Sequence, residues 1–166
     1  MDTTTKRDIK KPFTPLKQIR LATYKYHQPG AYAITICTHK RQPLFTIPAL
    51  RAILYEEWEK LPQHFHRIVA GTCMVMHDHF HCILILEEGY EHRKSARQII
   101  EGYKSIVVHA WIRYLKDTGA NYPGKIWQYR FYDHIIRDEK DFNAQTAYIL
   151  NNPAVYAAKQ KKKQKQ

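Results

Sequence analysis

The stretch His79-Phe80-His81-Cys82-Ile83-Leu84-Ile85-Leu86 constrains this chain more than any other. Its β-branched and aliphatic residues predict a strand, and a strand turns alternate side chains to opposite faces. His79, His81, Ile83 and Ile85 then share one face, and Phe80, Cys82, Leu84 and Leu86 share the other. Two imidazoles two residues apart on one strand face can converge on a divalent ion. Imidazole suits transition metals, and a mixed site with oxygen ligands and water accepts manganese or magnesium. The plain alternative is a pair of polar residues at the open end of a buried strand. His64-Phe65-His66 repeats the same pattern but follows Leu61-Pro62, where a helix is expected to stop. It is therefore expected in a solvated connection.

The elements around this strand follow from spacing and punctuation. Residues 31–39 alternate weakly and predict a first strand, ended by Lys40-Arg41-Gln42-Pro43. Pro48 suits a first helical turn. Leu50, Leu54, Trp58 and Leu61 then form one helical stripe. Residues 68–76 predict the second strand, and His77-Asp78 the turn into the third. A charged loop spans 87–94. Ser95 with Gln98 resembles a capping box, opening a second helix to about Lys116 with a stripe through Ile99, Tyr103, Ile106, Ala110 and Tyr114. Residues 126–136 read as a fourth strand with a short exit. Asp138 can cap a last helix, expected to end near Leu150 before Pro153. The fold class is α+β: the order β-α-β-β-α-β matches the ferredoxin-like plan, an antiparallel sheet, with a helix appended at the C-terminal end.

The chain has 166 residues, enough for one domain with a real core. It lacks an apolar run long enough to span a membrane and an N-terminal signal segment. Its three cysteines, Cys37, Cys73 and Cys82, lack CxxC spacing and argue for reduced thiols in an intracellular protein. Lys and Arg number 27 against 15 Asp and Glu, a net +12 that points to a polyanion, most often nucleic acid. Residues 1–20 read as a basic arm, and 156–166 as a lysine-rich tail expected to be disordered. The charge does not reside only in these ends: Arg41, Arg97, Lys104, Arg113, Lys125 and Arg130 lie inside, and Arg97 and Lys104 bias one side of the second helix toward phosphate.

In the last helix, Tyr148 and Asn152 are four apart and so share a face, beside a stripe through Phe142 and Ile149. A phenol at a stripe edge can point along the surface toward a neighbouring metal site. It can equally be a packing residue with a wet hydroxyl, and Asn152 before Pro153 can be a simple helix stop.

Three blocks together resemble the REP-associated tyrosine transposases, which belong to the HUH (His-hydrophobic-His) single-strand DNA transposases and nucleases. They are residues 24–45, residues 75–86 around His79-Phe80-His81, and the segment from Ile126-Trp127-Gln128-Tyr129-Arg130 through Tyr148-Ile149-Leu150-Asn151-Asn152-Pro153. The likeness spans about residues 20–155, taken as a domain over 21–155. It implies His79 and His81 as paired metal ligands, Tyr148 as nucleophile, and Asn152 as third ligand. Arg130 and His134, together with Arg41, Arg97 and Lys104, are the expected DNA contacts. It further implies Mg2+ or Mn2+, a DNA partner that is single-stranded or a hairpin with a single-stranded flank, and a cytoplasmic, nucleoid-associated location. His77 stands where the family usually has proline. Two rival classes remain open: a non-catalytic single-strand DNA- or RNA-binding module, and a phosphodiesterase using activated water. So does the choice between a monomer and a homodimer that exchanges the Tyr148 helix.

Overall fold

A computed structural model describes residues 28–89, 94–122 and 124–164. The predicted basic arm, 1–20, lies outside the described residues. The elements are β1 (Gly30–Cys37), α1 (Pro48–His64), β2 (Ile68–Val75), β3 (His79–Leu86), α2 (Ala96–Thr118), β4 (Tyr132–Ile136) and α3 (Glu139–Lys163). The strands pair antiparallel in the order β2-β3-β1-β4, the ferredoxin-like arrangement. No helix among the described residues is long and apolar enough to cross a membrane.

Alternation divides the central strands between two layers. Tyr32, Ile34 and Ile36 of β1 and Phe80, Cys82, Leu84 and Leu86 of β3 bury themselves with α1 and α2. Ala31, Ala33 and Ile83 face the other way, against Ile149 and Phe142 of α3. In α1 the predicted stripe is the buried one: Leu50, Leu54, Trp58 and Leu61. The Trp58 indole donates to the Gly71 carbonyl at 2.9 Å and meets Phe80 and Tyr103 edge-on. The capping box of α2 forms in both directions, Gln98 N–H to Ser95 Oγ and Ser95 N–H to Gln98 Oε1. Asp138 caps α3 by accepting from Asp141 N–H at 2.8 Å.

Three boundaries and one buried stripe differ from expectation. Helix α1 continues past Pro62 to His64, so His64 ends a helix where a connection was expected; it and His66 are exposed, while Phe65 packs inward. Its ring occupies the space that a side chain at Gly102 would need, 2.7 Å from the position of a Cβ there. On α2 the buried line after Tyr103 runs through Val107 and Trp111, leaving Ala110 part-exposed and Tyr114 exposed. Regular β4 starts only at Tyr132. Upstream, Trp127 makes a single bridge to Thr38, because β1 has already ended at Cys37 and turned into a 3-10 turn over His39–Arg41. Helix α3 runs through Pro153 to Lys163, so residues 156–163 are helix where an unstructured tail was expected. Proline forfeits one bond to the carbonyl four residues back, but Ala154, Ala157, Ala158 and the Lys/Gln run that follow are strong helix formers. Tyr156 also anchors this half of the helix, its ring lying 4.6 Å from that of His77.

The turn after β1 is strained. Lys40 and Arg41 both have left-handed φ, 54° and 56°, which costs of order 1–2 kcal/mol for each non-glycine residue.

Candidate active site

Register and helix placement assemble the site from opposite ends of the chain. His79 and His81 open β3 on the face that α3 covers, with ring centroids 4.6 Å apart. Each ring is held through Nδ1. His79 meets Asp78 Oδ1 at 2.6 Å, and His81 meets Thr35 Oγ1 at 2.8 Å. Thr35 is the residue opposite His81 in the β1–β3 ladder, so sheet pairing itself delivers the hydroxyl. The Nε2 atoms are thereby left for other partners.

Helix α3 brings the expected pair. The Asn152 amide lies 3.1 Å from His81 Nε2. One turn earlier, the Tyr148 ring stands edge-on to His81 with centroids 5.6 Å apart, and Tyr148 is 60% exposed. Beside them is a small cleft of about 120 Å³ lined by Thr35, His81, Tyr132, Asp133, His134 and Tyr148.

Burial pushes the His81 imidazole down to about 4, helped by the positive charges of neighbouring His79 and Arg41. Burial also lowers His79, against the opposing pull of the Asp78 hydrogen bond. Both rings are neutral near pH 7. In the unfolded chain His81 returns to its ordinary value of 6.5 and takes up a proton that the folded chain refuses. Stability of the metal-free protein should therefore fall as pH drops from about 6.5 toward 4. The urea midpoint at pH 5 should lie below that at pH 7, and His81→Gln should flatten the difference. An equal pH dependence in that variant would exclude His81 as the cause.

These groups fit a divalent ion in kind. Metal ligation needs neutral imidazole, and a carboxylate or hydroxyl on Nδ1 is the arrangement that orients metal-bound histidines. Among the described residues, His, Cys, Asp and Glu side chains form no metal-binding cluster of three. The third group here is the Asn152 amide, whose oxygen is of the kind that suits a hard ion.

The expected DNA contacts fare unequally. Arg97 and Arg130 are exposed, with the Arg97 guanidinium over the Phe131 ring. His134 is exposed but paired with Asp141 at 2.9 Å, tying β4 to the first turn of α3. Lys104 turns inward where a solvent-facing contact was expected: it is 6% exposed, and its ammonium donates to the carbonyls of Gln128 and Tyr129 at 3.3 and 3.2 Å and to Glu101. It falls on the buried side of α2 and pins the 126–131 segment there. Arg41 is half exposed, yet its guanidinium turns inward to Asp78 and Cys37. Sequence reasoning missed the supporting groups Thr35 and Asp78. Asp78 is next to His79 in the chain and could have been noticed; Thr35 required the strand register.

No family model matches the chain. Among solved structures it resembles a REP-associated tyrosine transposase bound to a REP hairpin, with a TM-score of 0.60 and 24% identity over 85% of this chain and 74% of that one. The chain has the REP-associated tyrosine transposase fold. The same fold likeness extends to a candidate transposase from Deinococcus radiodurans R1, with a TM-score of 0.53 and 14% identity over 82% of this chain and 97% of that one. An uncharacterized protein of Haemophilus influenzae Rd is 28% identical over 160 residues, covering 84% of this chain and 89% of its own length. In the transposase fold of this chain, the four-stranded sheet supplies the histidine pair and α3 supplies Tyr148 and Asn152.

Proposed function

We propose that the chain is a metal-dependent single-strand DNA transposase that cleaves and transfers strands through a 5′-phosphotyrosine on Tyr148. One observation carries the reading. Tyr148 and Asn152, one turn apart on α3, both meet the sheet at His81, beside His79. The fold likeness supports it, as does the DNA hairpin bound to the first structural neighbour.

His79, His81 and the Asn152 amide would hold Mg2+ or Mn2+. Such an ion, when bound, withdraws charge from the scissile phosphate and orients it. Tyr148 Oη attacks the phosphorus; a P–O bond to the phenol forms and the bond to the 3′ oxygen breaks. The phenol's proton ends on that oxygen, leaving a free 3′-hydroxyl and a 5′-phosphotyrosine. Attack by another 3′-hydroxyl reverses these steps and joins a new strand. Thr35 and Asp78 hold the imidazoles still, and exposed Arg97 and Arg130 meet the backbone. Tyr132, 70% exposed at the cleft, offers a face on which an unpaired base stacks. The protein would act in the cytoplasm, at the nucleoid.

The test uses labelled hairpin DNA with a single-stranded flank, incubated with Mn2+ or Mg2+ and run on a denaturing gel. A covalent protein–DNA band supports the proposal. Cleavage without the band supports activated water, and binding without cleavage supports a binding module. Affinity should also depend on salt. For about five phosphates neutralised on a single strand, it should fall roughly a hundredfold from about 50 to about 200 mM salt. A flat filter-binding curve over that range would rule out a backbone-led interface.

A further inference from the structure

Behind the His79 imidazole a line of polar contacts runs on from Asp78 to groups that the proposed reaction does not itself use. Asp78 Oδ1 meets His79 Nδ1 at 2.6 Å. The other carboxylate oxygen, Oδ2, accepts from Arg41 Nε at 2.9 Å, and Arg41 Nη1 donates to Cys37 Sγ at 2.7 Å. Asp78 is buried, and its own carbonyl accepts from Thr38 N–H and Thr38 Oγ1 at 2.9 and 3.0 Å. The aspartate backbone is thus pinned to the end of β1 whatever its side chain does.

The side chain has a competing partner. His77 Nε2 lies 3.4 Å from the same Oδ1 that serves His79. A carboxylate free to rotate could turn away from His79 toward that half-buried ring. Arg41 prevents this by taking Oδ2, which leaves Oδ1 directed at His79. Its guanidinium reaches inward from a turn in which Lys40 and Arg41 are both left-handed. Two successive non-glycine residues in that region persist only where the surrounding structure holds them, and such strain clusters at functional sites.

We propose that Arg41 is a positioning residue: by holding the Asp78 carboxylate it keeps the His79 proton on Nδ1 and the lone pair on Nε2, where a divalent ion would bind. This rests on the metal-binding part of the proposed function. It replaces the phosphate-contact role expected for Arg41 from its charge. A free imidazole can carry its proton on either nitrogen, and the partner at one nitrogen decides which lone pair remains for a metal.

The experiment uses the full chain and three measurements. Nitrogen-15 NMR of the metal-free protein reads the His79 tautomer; calorimetry reads Mn2+ affinity; and DNA binding in EDTA reads the salt slope. In the wild type, His79 is expected as the Nδ1–H tautomer. Asp78→Ala should shift it to a mixture and weaken Mn2+ about 10- to 100-fold, the usual cost of losing such a partner. Arg41→Gln should move both readouts the same way by a smaller factor and leave the salt slope unchanged. Should Asp78→Ala fail to fold, Arg41→Gln carries the test, because its half-exposed side chain is not part of the core. An Arg41→Gln protein with the wild-type tautomer and Mn2+ affinity overturns the proposal. So does one with the wild-type tautomer and a salt slope reduced by about one, which marks Arg41 as a phosphate contact. A wild type that binds Mn2+ but forms no adduct ends the phosphotyrosine reading and leaves the role of Arg41 standing.

Discussion

Tyr148→Phe is expected to remove the covalent protein–DNA band entirely, a loss of at least about a thousandfold in adduct formation. Under the proposed reaction, the phenolic oxygen makes the only bond between protein and DNA, and phenylalanine has nothing to replace it. The rest of the molecule should hardly register the change. Tyr148 is largely exposed and hydrogen-bonds to no described neighbour in the site. An exposed Tyr-to-Phe exchange in a helix alters stability by less than about 0.5 kcal/mol. The ring that faces His81 is retained, so affinity for DNA should stay within about twofold. The variant therefore separates binding from chemistry. An undiminished band in Tyr148→Phe would move the nucleophile elsewhere, and cleavage persisting without a band would favour activated water.

The second large effect is on stability. Trp58→Ala should destabilise the protein by about 3–5 kcal/mol, the usual cost of emptying a large aromatic site in a core. Trp58 is buried between helix and sheet, with Phe80 and Tyr103 against its faces and edges. Its removal also strands the Gly71 carbonyl, which accepts its only side-chain donor there. Thermal unfolding should shift down by roughly 10 °C for a domain of this size. A shift of one or two degrees would show that the layer between α1 and β3 closes over the gap. Phe80 lies between His79 and His81, so loss of packing beneath it should also loosen the imidazoles. Weaker Mn2+ binding is expected to accompany the lower melting point.

The sheet and its two faces were legible because parity alone assigns them. Once residues 79–86 are a strand, His79 and His81 must share a side with Ile83, and they do. The α1 stripe was equally plain, since Leu50, Leu54, Trp58 and Leu61 offer one apolar line. On α2 two lines compete. Spacing favours Ile106, Ala110 and Tyr114, yet Val107 and Trp111 are buried, and what decides is the 124–131 segment lying against the helix, where the Trp127 indole donates to the Lys104 carbonyl. That segment also buries Lys104, whose charge had suggested solvent and phosphate. At the site, the catalytic roles proposed for Tyr148 and Asn152 rest on family likeness; the structure shows that both side chains lie beside His81. Thr35 depends on strand register, and Arg41 on two left-handed residues in a row; neither is written in local propensity.

Phenol and amide ride on a single rod, α3, four residues or about 6 Å apart along its axis, and that rod rests on a modest apolar patch around Ile149 and Phe142. Their spacing is set by the rod and not by how it lies on the sheet. Under the proposed reaction the esterified DNA end would be carried by that rod. A tilt that swung it toward a second strand would lift the amide from His81 in the same movement, so delivery and loosening of the proposed donor set would be one event.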